Sequence, residues 1–382
     1  VLISDRIQLD GTTRARLPEE TWQALAPDLG PRYGISRVAR LTALDSLGLP
    51  VHTAIRPASH TLTATQGKGA TDLLSRISAV MEAIELWHTE QPIPAHEFGS
   101  HREVAPGYPL SALPLRVDAA GLDRVRLEWT AATGLIRDSH GLVPCDTVRR
   151  RAQRRLRQPD ILRATSTGLA AGNSRDEAIL HGLYEVIERA ALHADDLTGG
   201  RHRTLIDPAS VADPYCADLI GRLTAAGAVL ELVHVANTYG VPVCTAYLWS
   251  EDYPLWAAGG GCHTDPHIAL ARAITEAAQS RLTCIAGTRD DLPVDTDLFR
   301  HPAPAPHPRP PAELTPWNAL NDGRPPGQGT FAEHARTVAA RIEVVTGHEP
   351  LRVDLTQPDE QIHTVKIICP GTRSRTRRAI PR

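Results

Sequence analysis

Apolar positions recur at helical spacing in three long stretches of the chain. In residues 71–89, Leu74, Ile77, Met81 and Ile84 fall on one stripe, which predicts a helix. Residues 174–194 predict a second, with Asn173 or Ser174 as its cap. Residues 266–285 predict a third, with Pro266 near its start. A shorter helix opens at Pro18-Glu19-Glu20-Thr21 ahead of Trp22, Leu25 and Leu29, and another spans residues 332–345. Strands are expected at 38–47, from Gly48-Leu49-Pro50-Val51 to Ile55, in the runs AVLELVHVA and VPVCTAYLW of residues 228–258, and at 363–369. Between residues 90 and 165, short apolar runs separated by turn signals read as strands and loops. The mixture is that of an α/β chain.

Composition narrows the class. The chain has 382 residues, 42% hydrophobic and 22% charged, with room for one large or two ordinary domains. The net charge of −3 argues against binding nucleic acid through charge. No apolar run approaches the roughly 20 residues of a membrane helix, and VLISDRIQLD lacks a signal pattern. The six cysteines form no CxxC pair and read as small core residues, reduced in a cytoplasmic protein, rather than as a zinc site. Residues 293–330 are Pro-rich and read as a surface loop or insertion, or else as a docking segment for a partner. Residues 371–382 carry five Arg and read as a solvated basic tail.

The chain is Arg-rich, with Lys68 and Lys366 its only lysines. Lys68 lies in Gln66-Gly67-Lys68-Gly69. It is placed to contact a phosphate, to brace a carboxylate, or simply to face solvent on a turn.

The three long helices share a layout. Each follows a Gly-bearing loop and carries polar residues at i, i+4 and i+7: Ser78, Glu82 and Glu85; His181, Glu185 and Glu188; Arg272, Glu276 and Gln279. These offsets place each trio on one helix face. Their neighbours are mostly apolar, and a buried carboxylate is costly unless it is paired or bound to a metal. Glu177 stands one turn before His181. Arg189, Arg272 and Arg281 are available to pair some of the carboxylates, but not all. Oxygen-rich clusters suit Mg²⁺, and Gly-rich loops at helix N-termini attract phosphate. The pattern therefore reads as a Mg-nucleotide site built from helix faces. It is not a P-loop, because Gly67-Lys68-Gly69-Ala70-Thr71 lacks the GxxxxGK[ST] spacing.

Taken together, these motifs resemble the YcaO family. The resemblance rests on Gln66-Gly67-Lys68-Gly69-Ala70, Ser78-x-x-x-Glu82-x-x-Glu85, the run from Thr165 to Asn173, Glu177 with Glu185-Val186-Ile187-Glu188-Arg189, and Cys262-His263-x-Asp265-Pro266 continuing through Arg272, Glu276, Gln279 and Arg281. It spans residues 35–292, and more weakly the ends of a single domain over 1–382. It implies a YcaO fold of mixed sheets with packed helices, binding ATP and Mg²⁺. Metal binding would fall to Glu82, Glu85, Glu185, Glu188 and Glu276. Nucleotide contacts would fall to Ser78, Asn173, Glu177, Arg189 and Arg272, and more weakly to Lys68, Gln279 and Arg281. The family also places a basic residue and a hydroxyl seven apart near the N-terminus, a spacing that Arg14 and Thr21 have.

The implied reaction is ATP-dependent phosphorylation of a backbone amide oxygen in a ribosomally made precursor peptide. A Cys, Ser or Thr nucleophile gives an azoline, an amine gives an amidine or macroamidine, and sulfide gives a thioamide. Two departures matter. Leu86 stands where many members have Arg after the second Glu, so another cation is expected near Glu85. The chain ends Ala379-Ile380-Pro381-Arg382, without the alternating-proline tail of many azoline formers. No additional domain for gripping a leader peptide is expected, so a separate leader-binding or TfuA-type partner, or direct recognition, would serve. The sequence favours azoline or amidine formation, with TfuA-assisted thioamidation and a non-catalytic ATP-binding scaffold as alternatives. A homodimer is implied, with no nucleic acid or membrane partner.

Overall fold

The computed structural model describes residues 5–150, 159–289, 299–300, 302, 304–307, 309–321, 327–374 and 380. A three-stranded antiparallel sheet joins Arg37–Arg40, Val51–Ile55 and Ala64–Lys68. A six-stranded sheet runs Glu97–Ser100, Arg126–Gly134, Leu351–Asp354, His363–Ile368 and Leu169–Gly172, with His140–Pro144 also pairing Arg126–Gly134. A five-stranded sheet runs Tyr253–Cys262, Val243–Ser250, Val229–Val235, Arg203–Asp207 and Thr315–Pro316.

Each of these sheets sends a strand directly into one long helix. Ala64–Lys68 leads into Asp72–Glu90, Leu169–Gly172 into Arg175–Leu197, and Tyr253–Cys262 into Pro266–Ala286. Each helix then lies back on the sheet that feeds it. Glycine makes this approach possible. A Cβ on Gly67 would stand 2.0 Å from the backbone nitrogen of Ala79, and one on Gly259 would stand 2.2 Å from that of Ala277. Helix and strand backbones therefore meet with no side chain between them.

The apolar stripes supply the core. Ile77, Val80 and Ile84 of the first long helix pack with Leu25 of the short helix Pro18–Leu25. The second long helix is wedged between the six- and five-stranded sheets, where Leu183 and Ile187 meet Val235, Val243, Val365 and Ile367. The third packs Ala273, Ile274 and Ala277 over the other face of the five-stranded sheet.

The structure departs from the sequence reading in five places. The apolar stretch 38–47 is a strand only over Arg37–Arg40, and Thr42–Leu44 is a 3-10 turn. There the Thr42 hydroxyl accepts from the Val51 N–H at 3.2 Å, and this local bond competes with continued pairing. A helix at Pro214–Ala225 and the strand Leu351–Asp354 were not anticipated. Part of the Pro-rich segment is built into the fold: Thr315–Pro316 forms the edge of the five-stranded sheet by pairing with Arg203–Asp207, and Trp317 is buried beneath the third long helix. Residues 293–298, 301, 303, 308 and 322–326 of that segment lie outside the described residues. The start of the tail is not simply solvated, since Gly371 N–H donates to the Ala112 carbonyl and Ile380 packs against the core. Residues 375–379, 381 and 382 lie outside the described residues.

Candidate functional site

The three long helices carry their carboxylates at one distance from their caps. The N-caps are Thr71, Ser174 and Asp265, each accepting a backbone N–H of the first turn. Eleven residues later stand Glu82, Glu185 and Glu276, and three residues beyond these stand Glu85, Glu188 and Gln279. The sequence shows this spacing less cleanly when measured from the glycines, because the third cap loop is longer.

Each first carboxylate is gripped by the strand beneath it or by the turn that opens that strand. The N–H groups of Gln66, Gly168 and Gly260 donate to Glu82 at 3.2 Å, Glu185 at 3.0 Å and Glu276 at 3.5 Å. The Ala171 N–H donates to Glu85 at 2.8 Å, tying the first helix to the second unit. The close helix–strand approach is what brings these groups within reach.

All fifteen candidate residues line one cavity of about 830 Å³. At its core, burial pushes the Glu85 carboxyl well above the carboxylate range, and Glu185 and Glu82 add to the rise. Arg14 is the cation that opposes it, in the role expected of a residue compensating for Leu86. Burial also raises Glu188 to about 7, with Glu276 beside it. Burial acts to raise Glu276 as well, but the ammonium of Lys68, which pairs with it, together with Arg189 and Arg272 leaves it lowered. Arg189 pairs with Glu185 at 3.1 Å and feels Glu188, Glu276 and Glu82 as well.

Beyond the carboxylates the cavity is cationic. Arg14 lies 3.7 Å from Glu177, which is 3% exposed. Burial lowers the pKa of Arg14, and Arg272 lowers it further. Asn173 donates to Glu177 at 3.1 Å through its side chain and accepts from the Thr21 hydroxyl at 2.7 Å. Arg14 and Thr21 thus arrive beside Asn173 and Glu177 across a long stretch of sequence. Ser78 and Arg272 face the cavity from the same level of their helices. His181 occupies the matching position, and burial with Arg272, Arg14 and Lys68 nearby keeps its imidazole neutral.

Two residues depart from the expected pattern. Arg281 touches the cavity wall, but its guanidinium is already engaged by Asp45 at 2.9 Å, Ser250 at 2.6 Å and Asp252 at 3.0 Å. It holds the wall together rather than offering free donors to a nucleotide. Gln279 sits at the level of Glu85 and Glu188 but brings no charge. Sequence reading also missed the backbone donors Gly168, Ala171 and Gly260, which have no residue-type signature. It missed Trp256, Leu192 and Ile380 as well, apolar residues that line the same cavity.

The residues fit Mg²⁺ with a phosphate ligand better than a metal alone. Among the described residues no three His, Cys, Asp or Glu side chains form a ready metal cage. Mg²⁺ characteristically takes one or two carboxylates and completes its shell with phosphates and water. Burial above all, with neighbouring carboxylates adding to it, raises Glu85 and Glu188, so a cation bound between them would favour their ionised forms. Glu82, Glu85, Glu185, Glu188 and Glu276 would hold the metal, with Arg14, Arg189, Arg272 and Lys68 facing the phosphates. Among the described residues no helix is long and apolar enough to cross a membrane. The cysteines are free thiols, buried except for Cys284.

Residues 66–373 match the model of the YcaO family, described as YcaO cyclodehydratase, ATP- and Mg²⁺-binding. An uncharacterised protein of Mycobacterium tuberculosis is 36% identical over 369 residues, covering 94% of this chain and 82% of its own length. An uncharacterised protein from the tfuA 3′ region of Rhizobium leguminosarum bv. trifolii is 37% identical over 293 residues, covering 73% of this chain and 69% of its own length. Among solved structures, YcaO from Methanopyrus kandleri bound with AMPPCP and Mg²⁺ is similar with a TM-score of 0.74 and 22% identity, over 98% of this chain and 99% of that one. A heterocyclase in complex with substrate and cofactor gives a TM-score of 0.71 and 22% identity over 94% of this chain. This chain spans 53% of the heterocyclase's length. At these identities the structural likeness is one of fold.

Proposed function

The chain belongs to the YcaO family, and we propose that it activates a backbone amide of a ribosomally made precursor peptide by ATP-dependent O-phosphorylation. The observation that carries this reading is the convergence of three capped helices, whose carboxylates meet the cations Arg14, Lys68, Arg189 and Arg272 in one cavity. Phosphoryl transfer asks a protein mainly for positioning and charge neutralisation, and this wall offers both.

A nucleophile adds to the amide carbon, and the carbonyl electron pair moves to oxygen. That oxygen attacks the γ-phosphorus of ATP, so an O–P bond forms and the bond to the β-phosphate breaks, releasing ADP. The nucleophile loses its proton, the nitrogen lone pair forms a C=N bond as the carbon–oxygen bond breaks, the N–H proton is lost to give an azoline or amidine (with sulfide, the S–H proton is lost instead and C=S forms), and the amide oxygen departs in phosphate. Arg14, Arg272 and Lys68 would orient the phosphates, while Asn173 and Glu177 would fix the nucleotide from the side of Thr21. Bound Mg²⁺ neutralises phosphate charge.

With a side-chain thiol, hydroxyl or amine as nucleophile, the product is an azoline or an amidine. A second reading, thioamide formation from sulfide with a TfuA-type partner, is favoured by the relative from the tfuA 3′ region. The test is mass spectrometry of precursor peptides encoded beside this chain's gene, incubated with ATP and Mg²⁺, with and without sulfide and a TfuA-type protein. Loss of one water supports the first reading, and exchange of one oxygen for sulfur supports the second. Glu185→Gln abolishes either change. ATP binding with no ADP and no altered peptide under any condition refutes both and leaves an ATP-binding scaffold.

A further inference from the structure

The second of the chain's two lysines has no part in the site as described. Lys366 lies on the strand His363–Ile368, opposite Leu169 of the neighbouring strand. It is 2% exposed. Its ammonium donates to the carbonyl of Thr165 at 2.5 Å and to that of Thr167 at 2.8 Å. A lysine so deeply buried is costly to keep where an apolar side chain would pack.

The two carbonyls belong to one tight turn. Leu169 N–H closes it on the Ser166 carbonyl at 2.8 Å, and Ile367 N–H seats it on the lysine's strand through the Gly168 carbonyl at 2.7 Å. Gly168 has φ +78°, and a Cβ there would stand 2.4 Å from the Ile367 carbonyl oxygen. From this turn the Gly168 N–H reaches Glu185 at 3.0 Å, and Ser166 faces the cavity.

We propose that Lys366 is a positioning residue for the metal site: by holding the Thr165 and Thr167 carbonyls it fixes the turn whose Gly168 N–H orients Glu185. This rests on the reading of Glu185 as a metal ligand. Burial lowers the lysine to about 7, with Glu185 the carboxylate that opposes the fall. The neutral amine still has two N–H groups for two carbonyls, so the contact survives in either protonation state.

The experiment is Mn²⁺ binding to the full-length chain without peptide, followed by electron paramagnetic resonance of the free ion. Groups that orient a ligand from behind typically change metal affinity about 10- to 100-fold, and a loss in this range is expected for Lys366→Met. Lys366→Gln, which keeps two N–H donors on a shorter stem, should fall between the two, and it carries the comparison if the Met variant does not fold. The decisive arm is a double-mutant cycle: Lys366→Met should cost no further affinity once Glu185→Gln is present. Unchanged Mn²⁺ affinity in a folded Lys366 variant, even with a lowered melting temperature, overturns the proposal, as does a fully additive loss in the double variant. If Glu185→Gln alone leaves Mn²⁺ affinity intact, the metal reading of Glu185 fails, and the role of Lys366 falls with it.

Discussion

Metal binding at this site should compete with a proton on Glu188. Burial, reinforced by Glu276, lifts this carboxyl to about 7, against an ordinary value of 4.5. A metal that takes Glu188 as ligand must displace that proton. The penalty factor is one plus the ratio of protonated to ionised Glu188, roughly 1.1 at pH 8 and about 11 at pH 6. Glu188 therefore contributes about a tenfold fall in Mn²⁺ affinity between pH 8 and pH 6, or about 1.4 kcal/mol. The assay is Mn²⁺ titration of the nucleotide-free protein at both pH values, which keeps phosphate ionisation out of the comparison. Glu188→Gln should bind more weakly at pH 8 and lack this tenfold component. The linked stability has a definite sign. A carboxyl whose folded pKa is raised favours the fold while protonated, so the metal-free protein loses stability as pH rises from about 4.5 through 7. Added Mn²⁺ should then raise the melting temperature more at pH 8 than at pH 6. An equal pH dependence in wild type and Glu188→Gln would refute the reasoning.

Other substitutions separate structure from binding. Arg281→Met strands Asp45, whose side chain is 1% exposed, and should cost about 3–5 kcal/mol in urea unfolding while the folded fraction keeps its ATP affinity; a stable variant with weakened ATP binding would return Arg281 to the nucleotide. Gly259→Ala should fail to fold or lose several degrees in melting temperature, because its Cβ has no room against Ala277 and Ala273, whereas Gly221→Ala on the helix Pro214–Ala225 should gain roughly 0.5–1 kcal/mol. Equal melting temperatures for the two would contradict the close helix–strand contact. Thr21→Val removes the hydroxyl bound to Asn173 and should weaken ATP binding about 5- to 10-fold, read by calorimetry, which corresponds to the roughly 1 kcal/mol of a hydrogen bond; unchanged affinity would place Thr21 outside the nucleotide site.

The long helices were legible because their apolar stripes are uninterrupted and their caps are Thr71, Ser174 and Asp265. The helix Pro214–Ala225 carried signals of the same kind, with Asp213 as cap, Pro214 in the first turn and Cys216, Leu219 and Leu223 on its buried face, yet the sequence reading does not include it. Leu351–Asp354 was not legible, since four residues in the middle of a sheet carry too little pattern to stand out. At the site, side chains with charge announced themselves, and the matched spacing of Glu82, Glu185 and Glu276 was visible along the chain. What was hidden is contact across distance. Nothing local in the sequence says that Thr21 meets Asn173, or that Asp45 occupies Arg281. Backbone donors such as Gly168 and Ala171 act through their N–H groups, so their residue types do not announce the role even though both fall within the run from Thr165 to Asn173.

The central claim is that the amide oxygen of the peptide leaves in phosphate. It is tested by labelling the backbone carbonyls of the precursor peptide with ¹⁸O, incubating with the protein, ATP and Mg²⁺, and analysing the phosphate released. One ¹⁸O in inorganic phosphate per modified amide, absent with Glu185→Gln, is the expected result for an azoline, an amidine or a thioamide alike. Modified peptide accompanied by unlabelled phosphate would contradict phosphorylation of the amide oxygen, and with it the mechanism assigned to this site.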